Sequence, residues 1–309
     1  MKMKYAFNVV ALALVCVMLF SACAGKDNAP SSSDAKPDDG YIASVNDVPP
    51  FDGETAYVAI RNNVPDFKES QLVKESYESY ASLDLLGRCG KAMACIGRDI
   101  MPDEDRGSIG QVKPSGWHTV KYDIVDGKYL YNRCHLIGYQ LTGENANEQN
   151  LITGTRYLNI EGMLPFENMI ADYVKETGNH VIYRVTPIFD GSNLLARGVH
   201  MEAISVEDDG EGICFNVYAY NAQPGISINY QNGESSLKDT SVSSALEKPS
   251  SSEAPDESAE YVLNTKTKKI HLPSCSSAKD IKAENKAVSH QSKQSLINDG
   301  YSCCKKCNP

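Results

Sequence analysis

One histidine and three oxygen-bearing side chains follow one another in the middle of the chain. His135 closes the stretch YNRCH, and Asn150, Asn159 and Glu167 come after it, with steps of nine and eight residues between the last three. Asparagine and glutamate provide oxygen ligands, which suit a hard ion such as Mg²⁺. Because a neutral histidine beside such an ion can act as a general base on water, the set predicts metal-assisted hydrolysis of a phosphate ester.

The cysteine next to His135 suggests a second interpretation, a thiol active site. Cys134 and His135 are neighbours in an extended segment, where adjacent side chains point to opposite faces. A cysteine nucleophile needs its histidine within hydrogen-bond reach, so this pair is poorly placed for thiol catalysis. Cys134 is therefore predicted to be a small buried residue, as is Cys214.

A strand and a helix must position these side chains. Residues 128–135 are predicted as a strand, and 167–177 as a helix whose apolar residues recur at helical spacing. Pro165 disfavours helical geometry at Leu164, so the helix is expected to begin near the proline. Further strands are predicted at 56–62, at 180–189 and in parts of 194–206 and 213–220, and a partly helical segment at 66–87. Strands before and after one central helix indicate an α+β fold with an antiparallel sheet.

These residues resemble the DNA/RNA non-specific endonuclease family, which has a ββα-metal active site. The family's signature is Asp-Arg-Gly-His at the end of a strand, then an Asn, a metal-binding Asn nine residues on and a Glu eight further. The matching residues here are Asn132, Arg133, Cys134, His135, Asn150, Asn159 and Glu167. The stretches LDLLGRCGKAMACIGRDIMP, PSGW and PGISINY are also similar to secreted bacterial members, so the resemblance covers roughly residues 54–232.

The resemblance implies a fold and a role for each matched residue. The fold would be a central antiparallel sheet flanked by helices. His135 would take a proton from water, Asn159 would hold Mg²⁺ or Mn²⁺, and Glu167 would orient metal-bound water. Asn150 would position His135 or the ion, and Arg133 would belong to the catalytic set. The implied activity is endonuclease cleavage of DNA with little sequence preference, and RNA is left open as a second substrate.

The sequence departs from the family's pattern at three positions. Asn132 replaces an Asp, which is expected to weaken or retune the surroundings of the ion. Cys134 replaces a Gly, and Ala171 stands where the family often has an Arg. Phosphate contact is then expected from another cation, Arg106 or Arg133.

Charge argues against a simple nucleic-acid binder. Residues 43–232 contain 15 Lys and Arg against 26 Asp and Glu, a balance of −11. Because nucleic-acid binders usually carry a basic footprint, a local basic cleft and weak, salt-sensitive binding are expected. Two alternatives stay open: a catalytically inactive cell-surface DNA-binding protein, and a metal-dependent phosphodiesterase for a smaller substrate. No protein partner is indicated.

The N-terminus predicts export. Residues 1–23 combine a lysine-bearing start, a short apolar run and small residues before Cys23, which is typical of a signal peptide. Its end resembles a bacterial lipobox, so Cys23 is expected to carry a lipid that binds the membrane; an uncleaved anchor helix is the alternative. The mature protein is expected outside the cytoplasm, on the bacterial cell surface or secreted. Residues 24–42 and 233–259 are predicted to be a polar tether and a linker.

Residues 260–309 form a separate Cys- and Lys-rich module. Two close pairs, His271 with Cys275 and Cys304 with Cys307, predict a tetrahedral Zn²⁺ site. The module resembles the small metal-binding domain at the start of the Ada DNA-repair protein. Cys303 takes the place of a proline in that pattern, which leaves Cys303 or Cys304 open as the ligand. Two disulfides are the alternative. Nine Lys against four Asp and Glu suggest that the module holds a polyanion near the cleft.

Overall fold

The computed structural model describes residues 45–238, 260–307 and 309 of the chain, and they fall within one compact unit. The predicted signal peptide with Cys23 and the predicted tether at 24–42 lie outside the described residues, as does most of the predicted linker. No helix in the described ranges has both the length and the apolar content for crossing a membrane.

The elements alternate between strands and short helical turns. In the main domain the strands are β1 Tyr57–Ala59, β2 Tyr77–Tyr80, β3 Ala92–Ile96, β4 Tyr131–His135, β5 Leu151–Thr155, β6 Val181–Ile188, β7 Gly198–Ser205, β8 Cys214–Tyr220, β9 Ile226–Ile228 and β10 Ser235–Leu237. Its α-helices are α1 Tyr139–Thr142 and α2 Leu164–Thr177, with 3-10 turns at Val45–Asp47, Arg61–Asn63, Glu69–Gln71 and Glu148–Asn150 and a π-helical segment at Leu158–Met163. The C-terminal module contains β11 Tyr261–Asn264, β12 Lys269–His271, α3 Ser276–Lys279, a 3-10 turn Ala283–Asn285, β13 Lys286–Ser289, α4 Lys293–Asn298 and β14 Ser302–Cys303.

A six-stranded sheet forms the base of the main domain, in the order β1-β8-β7-β6-β3-β2. Every neighbouring pair in it is antiparallel. The inner strands β7 and β8 are almost entirely buried, because α2 covers one face of the sheet and loops cover the other. The predicted α+β fold with a central antiparallel sheet is confirmed.

The strands β4 and β5 and the helix α2 together form a ββα unit. β4 and β5 pair antiparallel as a two-stranded ribbon, with His135 opposite Leu151. The chain then passes through the π-helical segment directly into α2, which buries Phe166, Ile170 and Val174 at four-residue spacing against the sheet.

The start of α2 corrects one expectation. Leu164 has helical angles, φ −53° and ψ −38°, although it precedes a proline. Pro165 lies in the first turn, where a backbone N–H has no intrahelical partner in any case. The proline therefore marks the change from π-helix to α-helix and does not interrupt the helical path.

The segment 66–87 was predicted to be partly helical, and most of it is not helical. It contains one 3-10 turn at Glu69–Gln71 and then the edge strand β2, which pairs with β3. β3 was not among the predicted strands. The long-range pairing of β3 with β6 supplies the backbone hydrogen bonds that the local sequence pattern does not reveal. At the other end, β9 and β10 pair as a hairpin, so ordered structure continues past residue 232.

The C-terminal module has its own small sheet and core. The strand order is β13-β11-β12-β14, and β12 and β14 run parallel. The core residues are Tyr261, Leu263, Ile270, Leu296, Ile297 and Tyr301. Ala59 of β1 packs against the same cluster, so the edge strand of the main sheet completes the core of the module.

Candidate active site

The strand β4 sends Cys134 and His135 in opposite directions. The Cys134 side chain is fully buried in the main core, whereas His135 lines a cleft. Burial raises the pKa of the Cys134 thiol far above its ordinary value, which keeps the thiol protonated. The prediction that Cys134 and Cys214 are small buried residues is confirmed.

His135 is held in one tautomer by its neighbours. Its Nε2 lies 2.8 Å from the carbonyl oxygen of Asn145, to which it donates. Nδ1 is then the acceptor, and Nη2 of Arg106 lies 3.2 Å from it. Burial, with a smaller effect from the Arg106 charge, lowers the pKa of His135 to about 4 against the effect of the Asn145 carbonyl. The imidazole is therefore neutral at neutral pH, with an unprotonated nitrogen on the Arg106 side.

Asn159 and Glu167 line the same cleft from consecutive helical segments. Asn159 lies in the π-helical segment, and its Oδ1 accepts a hydrogen bond from the Cys134 thiol at 2.9 Å. Glu167 lies in the first turn of α2 and is 8% exposed. Burial raises the pKa of Glu167 to about 7, opposed by the backbone N–H of Gly138 and the charge of Arg106. A β-carbon at Gly138 would come within 2.6 Å of the Glu167 carboxylate, so any larger residue here would displace that carboxylate.

Asn150 does not line the cleft. Its side chain is fully buried and bonds both backbone groups of Ile137: Oδ1 accepts from the N–H at 2.9 Å, and Nδ2 donates to the carbonyl at 2.9 Å. Its own carbonyl accepts from the N–H of Leu136 at 2.8 Å. The structure thus brings Asn150 to the loop that follows His135 and not to the side of Asn159.

The cleft has a volume of 670 Å³ and a basic, aromatic lining. Besides His135, Asn159 and Glu167, its polar and aromatic lining includes Arg106, Arg133, Arg156, Asn132, Trp117, Tyr129, Tyr131 and Tyr139. Glu167 is the one carboxylate among the lining residues. The domain as a whole is acidic, but its cleft is basic. This is the local basic cleft that was expected for nucleic-acid binding.

Two of the three arginines are fixed in place. The Arg133 guanidinium stacks on the Trp117 ring at 4.0 Å and donates to the carbonyls of Val112 and Gly110, the latter at 2.7 Å. Arg156 forms two hydrogen bonds with Asp126, at 3.0 and 2.8 Å. Arg106 and Arg133 were predicted to contact phosphate, and Arg156 was not. The one sequence feature that could have indicated Arg156 is its position directly after β5, the strand that pairs with β4.

Asn132 lines the cleft, and its side-chain amide is not fully hydrogen-bonded. Its Nδ2 is buried and has no hydrogen-bond partner among the described residues. Buried polar groups are nearly always bonded, and an exception at a site usually marks a place for a ligand or water. The amide that replaces the family's carboxylate therefore presents an unused donor at the cleft.

The predicted ligands of the C-terminal module converge. One ligand atom from each of His271, Cys275, Cys304 and Cys307 lies within 4.8 Å of the others, and the Cys275 and Cys304 sulfurs are 3.9 Å apart. Cys303 points elsewhere, with its sulfur 3.7 Å from the carbonyl of Pro309. The geometry selects Cys304 over Cys303 for the cluster. The eight cysteines in the described ranges are free thiols, so the disulfide alternative is not seen there.

Comparison with known proteins finds similar sequences and folds among nucleases. Residues 68–207 match the family model described as DNA/RNA non-specific endonuclease. A deoxyribonuclease of Streptococcus dysgalactiae subsp. equisimilis is 33% identical over 110 residues, which are 34% of this chain and 32% of the relative. The chain thus spans about a third of the length of the curated relative that it matches.

Two solved nucleases share the fold. NucA from Streptococcus agalactiae, solved with magnesium bound, superposes with a TM-score of 0.53 at 26% identity, over 58% of this chain and 86% of NucA. Sda1 nuclease, solved with a bound zinc ion, gives a TM-score of 0.50 at 26% identity, over 60% of this chain and 97% of Sda1. Residues 68–207, which contain β4, β5 and α2, are therefore a domain of the DNA/RNA non-specific endonuclease type.

Proposed function

We propose that the main domain is an endonuclease that hydrolyses phosphodiester bonds of DNA with little sequence preference, with RNA as a second substrate to be tested. The observation that carries the proposal is the state of His135. Its Nδ1 is unprotonated, its tautomer is fixed by Asn145, and it lies in an arginine-lined cleft with Asn159 and Glu167.

The cleft residues fit a hard divalent cation, Mg²⁺ or Mn²⁺. Asn159 and Glu167 offer oxygen donors, which such ions prefer. The raised pKa of Glu167 is that of a buried carboxylate that lacks sufficient positive charge nearby, and a cation in the cleft would supply it. Asn159 would hold the ion, and Glu167 would orient its water. When bound, the ion would neutralise negative charge on the phosphate and on the leaving 3′-oxygen. NucA, the structural relative, was solved with magnesium bound.

The proton is taken by His135 in this proposal. Nδ1 accepts a proton from the attacking water as the water oxygen bonds to phosphorus and the bond to the 3′-oxygen breaks. The Asn145 carbonyl stabilises the imidazolium because it already accepts from Nε2. Such base catalysis contributes a factor of about 10²–10⁴ to the rate.

The other predicted residues position the imidazole of His135 or bind the phosphate. Asn150 holds the loop after His135 through Ile137 and so fixes the approach of the imidazole. Arg133 is held rigid by Trp117 and two carbonyls, which leaves the rest of its guanidinium for a phosphate oxygen. Arg106, within 3.2 Å of Nδ1, is placed to contact the phosphate that His135 serves.

The second proposed metal is Zn²⁺ in the C-terminal module. Three thiols and one imidazole at close range are a ligand set for a structural zinc site. His271 Nδ1 is buried without a hydrogen-bond partner in the described part of the chain, as is expected of a nitrogen that a metal would occupy. The four-residue set leaves no open coordination position, so this zinc would not be catalytic.

Location outside the cytoplasm is also part of the proposal. It rests on the signal-peptide pattern of residues 1–23 and on Cys23 as the lipidation site. Metabolic labelling with a fatty acid would test it: wild-type protein should incorporate label and a Cys23→Ala variant should not.

The nuclease proposal is tested on supercoiled plasmid and on RNA with purified wild-type and His135→Ala proteins. With Mg²⁺ the wild type should degrade plasmid, EDTA should stop it, and His135→Ala should lose about 10²–10⁴-fold in rate. His290→Ala, which changes an exposed histidine of the C-terminal module, is the matched control. Plasmid bound but uncut would indicate an inactive binding protein, and cleavage of a small diester alone would indicate a phosphodiesterase.

A further inference from the structure

The C-terminal module lies against a turn of the nuclease domain through a buried lysine. Lys269 of β12 is 1% exposed, and its Nζ donates to the carbonyl of Gly210 at 2.8 Å. Gly210 belongs to the turn between β7 and β8, residues 206–213. A buried ammonium group is strongly destabilising without an acceptor, so this contact requires the module and the turn to stay together.

A second segment of the module contacts the same turn. Lys305 donates to the carbonyl of Asp209, and the Cys304 sulfur lies 3.9 Å from the Glu211 carboxylate. The turn is itself held by the nuclease domain, because Tyr173 of α2 donates to Asp208 at 2.8 Å. A chain of contacts therefore connects the module to the helix that carries Glu167.

The edge strand β1 provides a third contact. Asn63, which follows β1, is fully buried; its Nδ2 donates to the carbonyl of Gly300 at 3.0 Å, and its Oδ1 accepts from the N–H of Asn216 in β8 at 2.7 Å. Tyr57 of β1 lies against Gly300 and donates to the carbonyl of Asp299 at 3.4 Å. The module thus covers the edge of the main sheet, which would otherwise be exposed.

The residues that contact the turn are interleaved with the cluster of candidate metal ligands. Lys269 lies two positions before His271 on β12, and Lys305 lies between Cys304 and Cys307. The same two segments therefore make both the cluster and the interface. A metal ion that joins His271 to Cys304 and Cys307 would fix the two segments relative to each other, and with them both lysines.

We propose that the metal cluster of the C-terminal module is a clasp that stabilises the nuclease domain, an inference that rests on the proposed zinc site. Zinc binding favours the docked arrangement because only that arrangement brings both segments onto the turn 206–213. The proposal replaces the tethered polyanion-binding role suggested by the lysine content. Lys266, Lys269 and Lys305 point to the nuclease domain, where they contact Glu176, Gly210 and Asp209.

The single tryptophan of the chain provides a reporter of the nuclease domain. Trp117 lies in the cleft under Arg133, far along the chain from the cluster. Thermal unfolding followed by Trp117 fluorescence is measured on metal-stripped protein, alone and with ZnCl₂, and bound zinc is counted separately. About one zinc per chain is expected, with a rise of at least about 5 °C in the midpoint of the Trp117 transition.

An interface variant tests the coupling. Lys269→Met removes the ammonium at the turn and keeps the side-chain length; it should still bind one zinc but lose most of the rise in midpoint. Lys279→Met, which changes an exposed lysine of α3, should keep the full rise. If Lys269→Met does not fold, the exposed-side variant Lys305→Ala replaces it and should reduce the rise.

Two results would overturn the proposal. Absence of zinc binding would remove the clasp itself. Zinc binding with no shift of the Trp117 transition, or with a shift that Lys269→Met and Lys305→Ala leave intact, would show an independent module. Neither readout uses nuclease activity, so a failure here is distinguishable from a failure of the nuclease proposal.

Discussion

The cleft of the nuclease domain and the C-terminal cluster are two candidate metal sites of opposite character. The cleft offers oxygen donors and one imidazole in 670 Å³ of accessible space lined with arginines. The cluster offers three sulfurs and one imidazole within 4.8 Å of one another. Because an ion that takes part in hydrolysis must keep positions open for water and substrate, the first arrangement suits catalysis and the second suits structure.

The two regions also differ in how their side chains are held. In the cleft each candidate residue has a partner outside the set: Cys134 donates to Asn159, His135 donates to Asn145, and Gly138 donates to Glu167. In the cluster, Nδ1 of His271 has no partner among the described residues. The candidate residues of the cleft are therefore held by protein groups, whereas His271 of the cluster keeps one nitrogen available for an ion.

Removal of a candidate ligand from each site should give the largest difference. Asn159→Ala should lower the plasmid cleavage rate at least about 100-fold, since it removes the proposed ion ligand. Cys304→Ser should abolish zinc binding and change the rate little, when both are assayed well below the unfolding temperature. Equal loss of cleavage in both variants would contradict the division into a catalytic and a structural site.

Two buried asparagines allow the anchoring of the regions to be compared. Asn150→Ala leaves both backbone groups of Ile137 unpaired and should lower the free energy of unfolding by about 2–4 kcal/mol. Asn63→Ala leaves the carbonyl of Gly300 and the N–H of Asn216 unpaired and should cost a similar amount. At a temperature where both are folded, only Asn150→Ala should slow cleavage. Urea unfolding measures the loss of stability, and plasmid assays measure the cleavage rate. Slow cleavage by Asn63→Ala would contradict the prediction that only Asn150 acts on the cleft.

The two buried titratable groups of the cleft should act oppositely on stability in metal-free protein. His135 has a pKa of about 4 in the folded state and about 6.5 unfolded, so stability is lost as pH falls below 6.5. Glu167 has a folded pKa of about 7, above its unfolded value, so stability is gained as pH falls below 7. His135→Asn removes the first effect only. The variant should therefore be favoured by about 2 kcal/mol at pH 5 relative to pH 7, compared with wild type.

Urea unfolding of metal-free wild type and His135→Asn at the two pH values provides this measurement. His290→Asn, an exposed change in the C-terminal module, should follow wild type at both. A pH dependence of His135→Asn equal to that of wild type would mean that His135 is protonated in the fold at pH 5 and is not the buried neutral base.

The smallest expected difference concerns single cations. Arg156→Ala in the cleft should weaken DNA binding at all sequences and reduce the salt slope by about one. Lys266→Ala in the module should leave both unchanged, because Lys266 does not line the cleft and pairs with Glu176 at the surface. Binding titrations in Ca²⁺ at several salt concentrations check this. A reduced slope in Lys266→Ala would return the module to the role of a polyanion binder.

The sequence predicted that His135, Asn159 and Glu167 lie together better than it predicted the elements around them. The spacing of His135, Asn159 and Glu167 reflects a strand end and two helical turns, and such local geometry is fixed by residue separation. Of the two ribbon strands, β4 was predicted and β5 was not, because β5 is identified by its pairing with β4. The segment 66–87 and the strand β3 were misjudged because their structure depends on partners far along the chain, in β6.

The role of individual side chains depended on neighbours that no motif contains. Asn150 was expected to position His135 or the ion, and its side chain bonds both backbone groups of Ile137, two residues after His135. Gly138 carries no recognisable pattern, yet its missing side chain makes room for the Glu167 carboxylate. Arg156 joins the cleft only because β5 pairs with β4.

The sequence by itself determined the residue types of both candidate metal sites, hard oxygen donors with a histidine and soft thiols with a histidine, since ligand chemistry belongs to the side chains. It also determined the α+β class through the periodicity of its apolar residues. Only the tertiary structure decided that His135 is buried and neutral, that Cys304 and not Cys303 joins the cluster, and that the C-terminal module is docked on the nuclease domain. The physical reason is that burial, side-chain direction and long-range hydrogen bonds arise from packing between distant segments.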